Sequence, residues 1–222
     1  MRTFTLSVFF CLALSACVYG ETIALWNFND AVSGATGGAN EFLVDRGSGT
    51  MTSDFTPASI GNTAGTALNS QDGDPAGQAL SIKSNVNNGK SLFWHVSTSG
   101  YESIGVSFAA QRTGTGFSQN QFQYSLDSGS SWLNLGDLFS PATSFSLKIF
   151  DLSGIAALNN NDAIAFRIIF DGATSATGNN RIDNLLVSGS PITPPVTTPV
   201  PEPVPIALIG AGLAGILLVR HG

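Results

Sequence analysis

Alternation of apolar and polar residues with a period of two runs through the middle of this chain and restricts it to strands. Ile104, Val106 and Phe108 alternate with Ser103, Gly105 and Ser107. Phe122, Tyr124 and Leu126 repeat the pattern, as do Phe145, Leu147 and Ile149, and Ile164, Phe166, Ile168 and Phe170. Side chains that return to one face every second residue belong to half-buried strands, so each set is expected to point into a core. Further strands are predicted over 22–28, 79–83, 91–98 and 103–111, with short ones at 42–44 and 67–68. No amphipathic helical window competes, and 155–158 offers one helical turn. Residues 31–77 read as loop, punctuated by Gly37-Gly38, Gly47, Gly49 and Asp72-Gly73-Asp74-Pro75. The expected fold class is therefore all-β, an antiparallel β-sandwich with jelly-roll wiring over residues 21–190.

Two local motifs sharpen that expectation. Ser125-Leu126-Asp127-Ser128-Gly129-Ser130-Ser131-Trp132 resembles an Asp-box, which implies a hairpin whose Asp side chain bonds turn N–H groups and whose Gly takes positive φ. In sialidases this motif is structural, so one copy implies a hairpin and no sialidase activity. Asn180-Arg181-Ile182-Asp183-Asn184-Leu185-Leu186-Val187 resembles the closing strand of jelly-roll carbohydrate-binding modules and concanavalin-like domains. That resemblance implies a structural calcium near Asn27, Asp30 and Asp183, whose oxygens suit a hard cation. The alternatives are that Asp183 caps a sheet edge or pairs with Arg181 or Arg167.

The two ends carry addresses. Arg2 followed by the apolar segment 4–16 and a small-residue boundary predicts a secretory signal peptide over residues 1–20, cleaved before Glu21. Leu14-Ser15-Ala16-Cys17 competes as a lipobox that would lipidate Cys17. At the other end Val200-Pro201-Glu202-Pro203 precedes sixteen residues, Val204 to Val219, free of charge and followed by Arg220. As a helix these would span roughly 24 Å, short of a hydrocarbon core of about 30 Å. Arg220 stands where the positive-inside rule places a cytoplasmic end. These residues resemble the PEP-CTERM sorting signal of Gram-negative bacteria, although only Arg220 and His221 stand where that family carries an arginine cluster. The resemblance implies a transient inner-membrane helix, cleavage by an exosortase and release to the cell surface, often in organisms that make exopolysaccharide or biofilm. The intervening 191–199, rich in Pro and Thr, is predicted as an extended spacer reaching about 28 Å.

Composition then excludes several functions. Cys11 and Cys17 both fall in the leader, so the domain has no disulfide and no thiolate nucleophile. Without Arg2 and Arg220, seven bases face fifteen acids, a net charge near −8 that opposes nucleic acid as partner. His95, the one histidine between the two end segments, lacks a G-x-S-x-G elbow, and its parity opposite Leu92, Trp94 and Val96 puts it on a surface. Glu102, Asp127 and Asp137 are acids without the paired arrangement glycoside hydrolysis needs. Trp94, Tyr101 and Trp132 are candidates for stacking on sugar rings, with a core position favoured for both tryptophans. The expected function is a non-enzymatic protein of the cell surface or extracellular matrix. The first alternative is a module that binds extracellular polysaccharide, and the second a secreted glycan-active enzyme. Intact-mass analysis of surface-released protein is expected to find Glu21 first and the apolar tail gone; a blocked Cys17 would establish the lipobox instead.

Overall fold

The computed structural model describes residues 20–30 and 40–193. The leader, the apolar tail and most of the Pro/Thr spacer lie outside the described residues, with Val200, Pro201, Glu202, Pro203 and Arg220 among them. Among the described residues no helix is long and apolar enough to cross a membrane.

Thirteen strands follow one another along the described chain: β1 Glu21–Trp26, β2 Asn40–Phe42, β3 Arg46–Gly47, β4 Thr50–Ser53, β5 Ile60–Ala64, β6 Gln78–Lys83, β7 Lys90–Val96, β8 Tyr101–Arg112, β9 Gln119–Ser125, β10 Leu133–Asn134, β11 Ser146–Asp151, β12 Ile164–Asp171 and β13 Asn179–Pro191. They form two antiparallel sheets. One has seven strands, in the order β11-β8-β13-β1-β3, with β5 and β6 joined to β13; the other has six, in the order β10-β9-β12-β7-β4-β2. The expected all-β class and antiparallel pairing are what the structure shows.

The inner faces meet in one aromatic core. Ile104, Val106 and Phe108 from β8, Phe122 from β9 and Ile164, Phe166, Ile168 and Phe170 from β12 all point inward, as their alternation demands. Phe122 stacks on Phe150 at 4.1 Å between ring centroids, and Trp94 lies 5.8 Å from Phe166. Such pairs each add about 0.5–1.5 kcal/mol beyond their buried area.

β11 departs from expectation. Its inward side chain is Phe150, packed between Phe122 and Phe108, so Phe145, Leu147 and Ile149 have the outer parity and Ile149 is 56% exposed. An edge strand of either parity presents apolar residues here, and the stacked rings decide which goes in. Residues 31–77 also hold more structure than their punctuation implies, because β2 to β5 lie there. The strand expected at 42–44 is centred two residues earlier. Ala67 and Leu68, expected in a strand, sit in a turn whose carbonyls serve Asn184. The helical turn expected at 155–158 is a 3-10 turn over Ala156–Leu158. Pro191 closes β13 opposite Tyr101, and the Ile192 N–H donates to the Gly100 carbonyl at 2.8 Å, so the sheet takes the first residues assigned to the spacer.

β13 has β8 along one edge and two partners along the other: β6 opposite Asn179–Ile182, then β1 opposite 185–189. The change falls at Asp183 and Asn184, where the register with β8 shifts and Asn184 adopts φ 49°. Residues 65–77 fold over this point on the outer face. Both Asp183 carboxylate oxygens accept backbone N–H groups, Thr66 at 2.7 Å and Asn184 at 2.9 Å. Asn184 Nδ2 donates to the Thr66 and Leu68 carbonyls, and Asn69 Nδ2 donates to the Asn184 carbonyl. Beneath the loop Leu25, Ala79, Ala109 and Leu186 are buried although their parity is opposite to the core.

Burial pushes the Asp183 carboxyl up to about 7, against the pull of its two N–H donors. The unfolded chain ionises near the ordinary value of 3.8, so between these two limits the folded state holds more protons and loses stability as pH rises. The group contributes on the order of 4 kcal/mol across that window. Below it, Asp127 and Asp151, held under the ordinary carboxylate value by hydrogen bonds, withdraw stability as they protonate. Thermal unfolding is expected to peak near pH 4–5 and decline toward neutrality, and Asp183→Asn should reduce the decline while lowering stability near pH 5; Asp45, also raised by burial, supplies part of what remains, and His95, lowered by burial, opposes it. A decline unchanged in that variant would mean another group titrates.

Candidate functional site

The outer face of the six-stranded sheet carries the one constellation of aromatic, cationic and amide side chains in mutual contact on a half-exposed surface among the described residues. Strand register builds it. Glu41, Thr52, Phe93, Arg167, Gln123 and Asn134 stand opposite one another in a single row across β2, β4, β7, β12, β9 and β10. Five inter-strand steps of about 4.8 Å make the row roughly 24 Å long. Each member has the parity opposite to a core residue: Phe93 lies between Leu92 and Trp94, and Arg167 between Phe166 and Ile168.

Trp132 joins the row from the hairpin between β9 and β10. Ser128 and Gly129 both take positive φ, 55° and 88°, as a tight reversal requires. Asp127 accepts the Ser131 N–H at 2.8 Å and the hydroxyls of Ser125 and Ser131 at 2.7 and 2.6 Å. These bonds hold its carboxyl down at about 2. The hairpin implied by the Asp-box resemblance is therefore present in its Asp and Gly. Its Trp is not a core residue, because Trp132 lies half-buried on the outer face, 6.1 Å from Phe93 between ring centroids.

Arg167 lies against the Trp132 ring and within reach of Phe93. Its Cζ lies 4.3 Å from the Trp132 centroid and 6.0 Å from that of Phe93, in cation–π range of both. Arg167 Nε donates to Gln123 Oε1 at 2.5 Å, and Gln123 Nε2 donates to Asn134 Oδ1 at 2.6 Å. A guanidinium can only donate, so Gln123 must present oxygen to it and NH2 to its other neighbour, which orients Asn134 in turn. Among the described residues Arg167 forms no ion pair. Asp54, which accepts the Ser91 N–H at 2.6 Å, is the acid whose field reaches it.

The row continues into an open cleft lined by Ser48, Thr50, His95, Ser97, Ser128 and Asp162. Ser97 Oγ donates to Asp162 Oδ1, and burial pulls the His95 imidazole below its ordinary value, so it is neutral at pH 7. The expected surface placement of His95 is what the structure shows.

Other residues singled out from the sequence are dispersed. Trp94 is fully buried and offers no face to a sugar. Tyr101 packs partly against the core from the seven-stranded sheet, away from the Trp132 row. Glu102 is exposed on β8, and Asp137 is exposed beyond β10. The hydrogen bonds of the Asp183 carboxylate go to Thr66 and Asn184 and not to Asn27 or Asp30. Asn27 Nδ2 donates to Asp74 at 3.4 Å, the Asn27 N–H donates to Asp45, and the Asp30 carbonyl accepts from Asn62. Nor does Asp183 pair with Arg181, which donates to Gln111, or with Arg167. No group of three His, Cys, Asp or Glu able to hold a metal occurs among the described residues. The sequence marks neither Phe93, Gln123 nor Asn134 and offers Arg167 only as a partner for Asp183; the available signal is a large apolar Phe93 at a position whose parity belongs to the polar face.

No family model matches the chain, and no curated protein matches it. Among solved structures, the CBM22-1 xylan-binding domain of Paenibacillus barcinonensis Xyn10C is 12% identical over 79% of this chain and 98% of that one, with a TM-score of 0.46. The CBM22-1–GH10 modules of Clostridium thermocellum Xyn10B, solved with xylohexaose, are 12% identical over 79% of this chain and 30% of that one, with a TM-score of 0.47. The N-terminal cellulose-binding domain of Cellulomonas fimi β-1,4-glucanase C is 11% identical over 63% and 94%, with a TM-score of 0.36. Likenesses at this level assign neither wiring nor ligand to this chain.

Acrylamide is expected to quench one tryptophan, Trp132, and to leave Trp26 and Trp94 protected. In Trp132→Phe the quenchable component should disappear; if it persists, the core tryptophans are accessible and the assignment of faces is wrong.

Proposed function

We propose that this domain is a non-catalytic glycan-binding module of a jelly-roll-like sandwich, exported and sorted to the cell surface or matrix through its C-terminal signal. The single observation that carries the binding reading is the six-strand row with Trp132, Phe93 and Arg167 at its middle. Sugar rings have an apolar face and a hydroxyl rim, so they are held by aromatic surface beside fixed amide and guanidinium donors. The row supplies both, at a length that suits an oligosaccharide stretch better than one ring. Its donors are fixed before any ligand arrives, which reduces the ordering cost of binding.

Sorting by an exosortase, with a transient inner-membrane helix and a Gram-negative host, rests on the Pro201-Glu202-Pro203 motif and the apolar run behind it. A catalytic reading finds no support in the cleft. His95 has no carboxylate partner, and Asp162 is bonded to Ser97. Affinity electrophoresis of the purified chain through gels containing soluble polysaccharides is expected to show retardation by at least one. Trp132→Ala should weaken that retardation about tenfold or more while costing little stability, because the ring is not in the core. Binding unchanged in Trp132→Ala, or no retardation by any polysaccharide, would overturn the assignment of the face.

A further inference from the structure

The charge on Arg167 narrows the ligand class, an inference that rests on the glycan-binding reading above. Within the relay Gln123 Oε1 accepts from Arg167 Nε and Asn134 Oδ1 accepts from Gln123 Nε2. The terminal guanidinium nitrogens of Arg167 make no ion pair among the described residues and bring the one positive charge of the row.

The other arginines among the described residues are differently engaged. Arg46 is paired with Asp72 and Asp74 at 2.8 and 2.6 Å. Arg112 is spent on Ser140 and on the carbonyls of Pro141, Thr113 and Gly114, and Arg181 donates to Gln111 from the opposite sheet. Arg167 has its Cζ 4.3 Å from the Trp132 ring centroid on a half-exposed face, and its Nε is fixed by Gln123, so its terminal nitrogens are left for a carboxylate.

We propose that the face recognises an acidic polysaccharide, a uronate polymer whose carboxylate meets the Arg167 fork while its ring lies toward Gln123 and Asn134. The far end of the row carries Glu41, and Asp54 lies on the same side, so a polyanion is directed along the β9–β10 half. Long-range repulsion from the acidic surface falls away within about 8 Å at physiological salt and leaves the local contact to decide.

Matched polymers separate this inference from the reading beneath it. Affinity electrophoresis uses polygalacturonate, alginate and hyaluronate, each beside its methyl ester, together with neutral xylan, glucomannan and cellulose oligomers. At least one acid form is expected to bind about tenfold more tightly than its ester, with the preference reduced in Arg167→Lys and absent in Arg167→Gln. Binding should also weaken between 50 and 500 mM salt, in keeping with a charged contact. Equal binding of acid and ester, or binding by neutral polymers alone, would overturn the acidic ligand and leave the glycan module standing. Binding by none would overturn both. Circular dichroism of each variant establishes that a lost preference is not lost folding.

Discussion

The architecture depends on how β13 can serve three neighbours at once, and that in turn rests on a buried carboxylate and amide at Asp183 and Asn184. A strand has two edges, so a third partner requires the second edge to change hands partway along. The change opens a gap in the ladder, leaving backbone groups that would be costly if buried without partners. Asn184 at positive φ turns the chain through the gap. Its side chain and that of Asp183 then supply the bonds that residues 65–77 need in order to lie over the sheet. Gly65 is part of the same arrangement, since a Cβ there would come within 2.5 Å of Asp183 Oδ2. The seven-stranded sheet is thus covered around Asp183 and Asn184 by a loop instead of a helix.

Among the described residues the six-stranded sheet has no comparable cover. The hairpin between β9 and β10 folds back over it and brings Trp132 to Arg167. The hairpin is rigid for local reasons, because Asp127 gathers the hydroxyls and N–H of its own turn. A ring delivered by such a turn can be placed accurately over a strand it does not belong to. The contact of Arg167 with Trp132 therefore combines a local motif with strand register.

Local pattern predicted much of the fold. The alternations beginning at Ile104, Phe122 and Ile164 named strands and their buried faces, because apolar residues at period two can satisfy only one face of a sheet. Ser125 to Trp132 marked a reversal through its Asp and Gly. The same logic failed for Phe145, Leu147 and Ile149, since Phe150 carries the competing parity and stacking on Phe122 decided between them. It also passed over β3 and β5, whose residues, rich in Gly, Asn and Thr, carry no apolar stripe to announce them.

By itself, then, the sequence determined the all-β class of the fold and the inward side of its longest strands. Those are properties of neighbours along the chain, and neighbours along the chain can be read. Only the tertiary structure decided that residues 65–77 lie over the seven-stranded sheet, that Trp94 is core while Trp132 is surface, and that Arg167, Phe93 and Trp132 meet. The physical reason is that these residues lie 35 to 74 positions apart and meet only through pairing of β7, β9 and β12. Register between distant strands is set by the packing of the whole core, and no short window of sequence contains it.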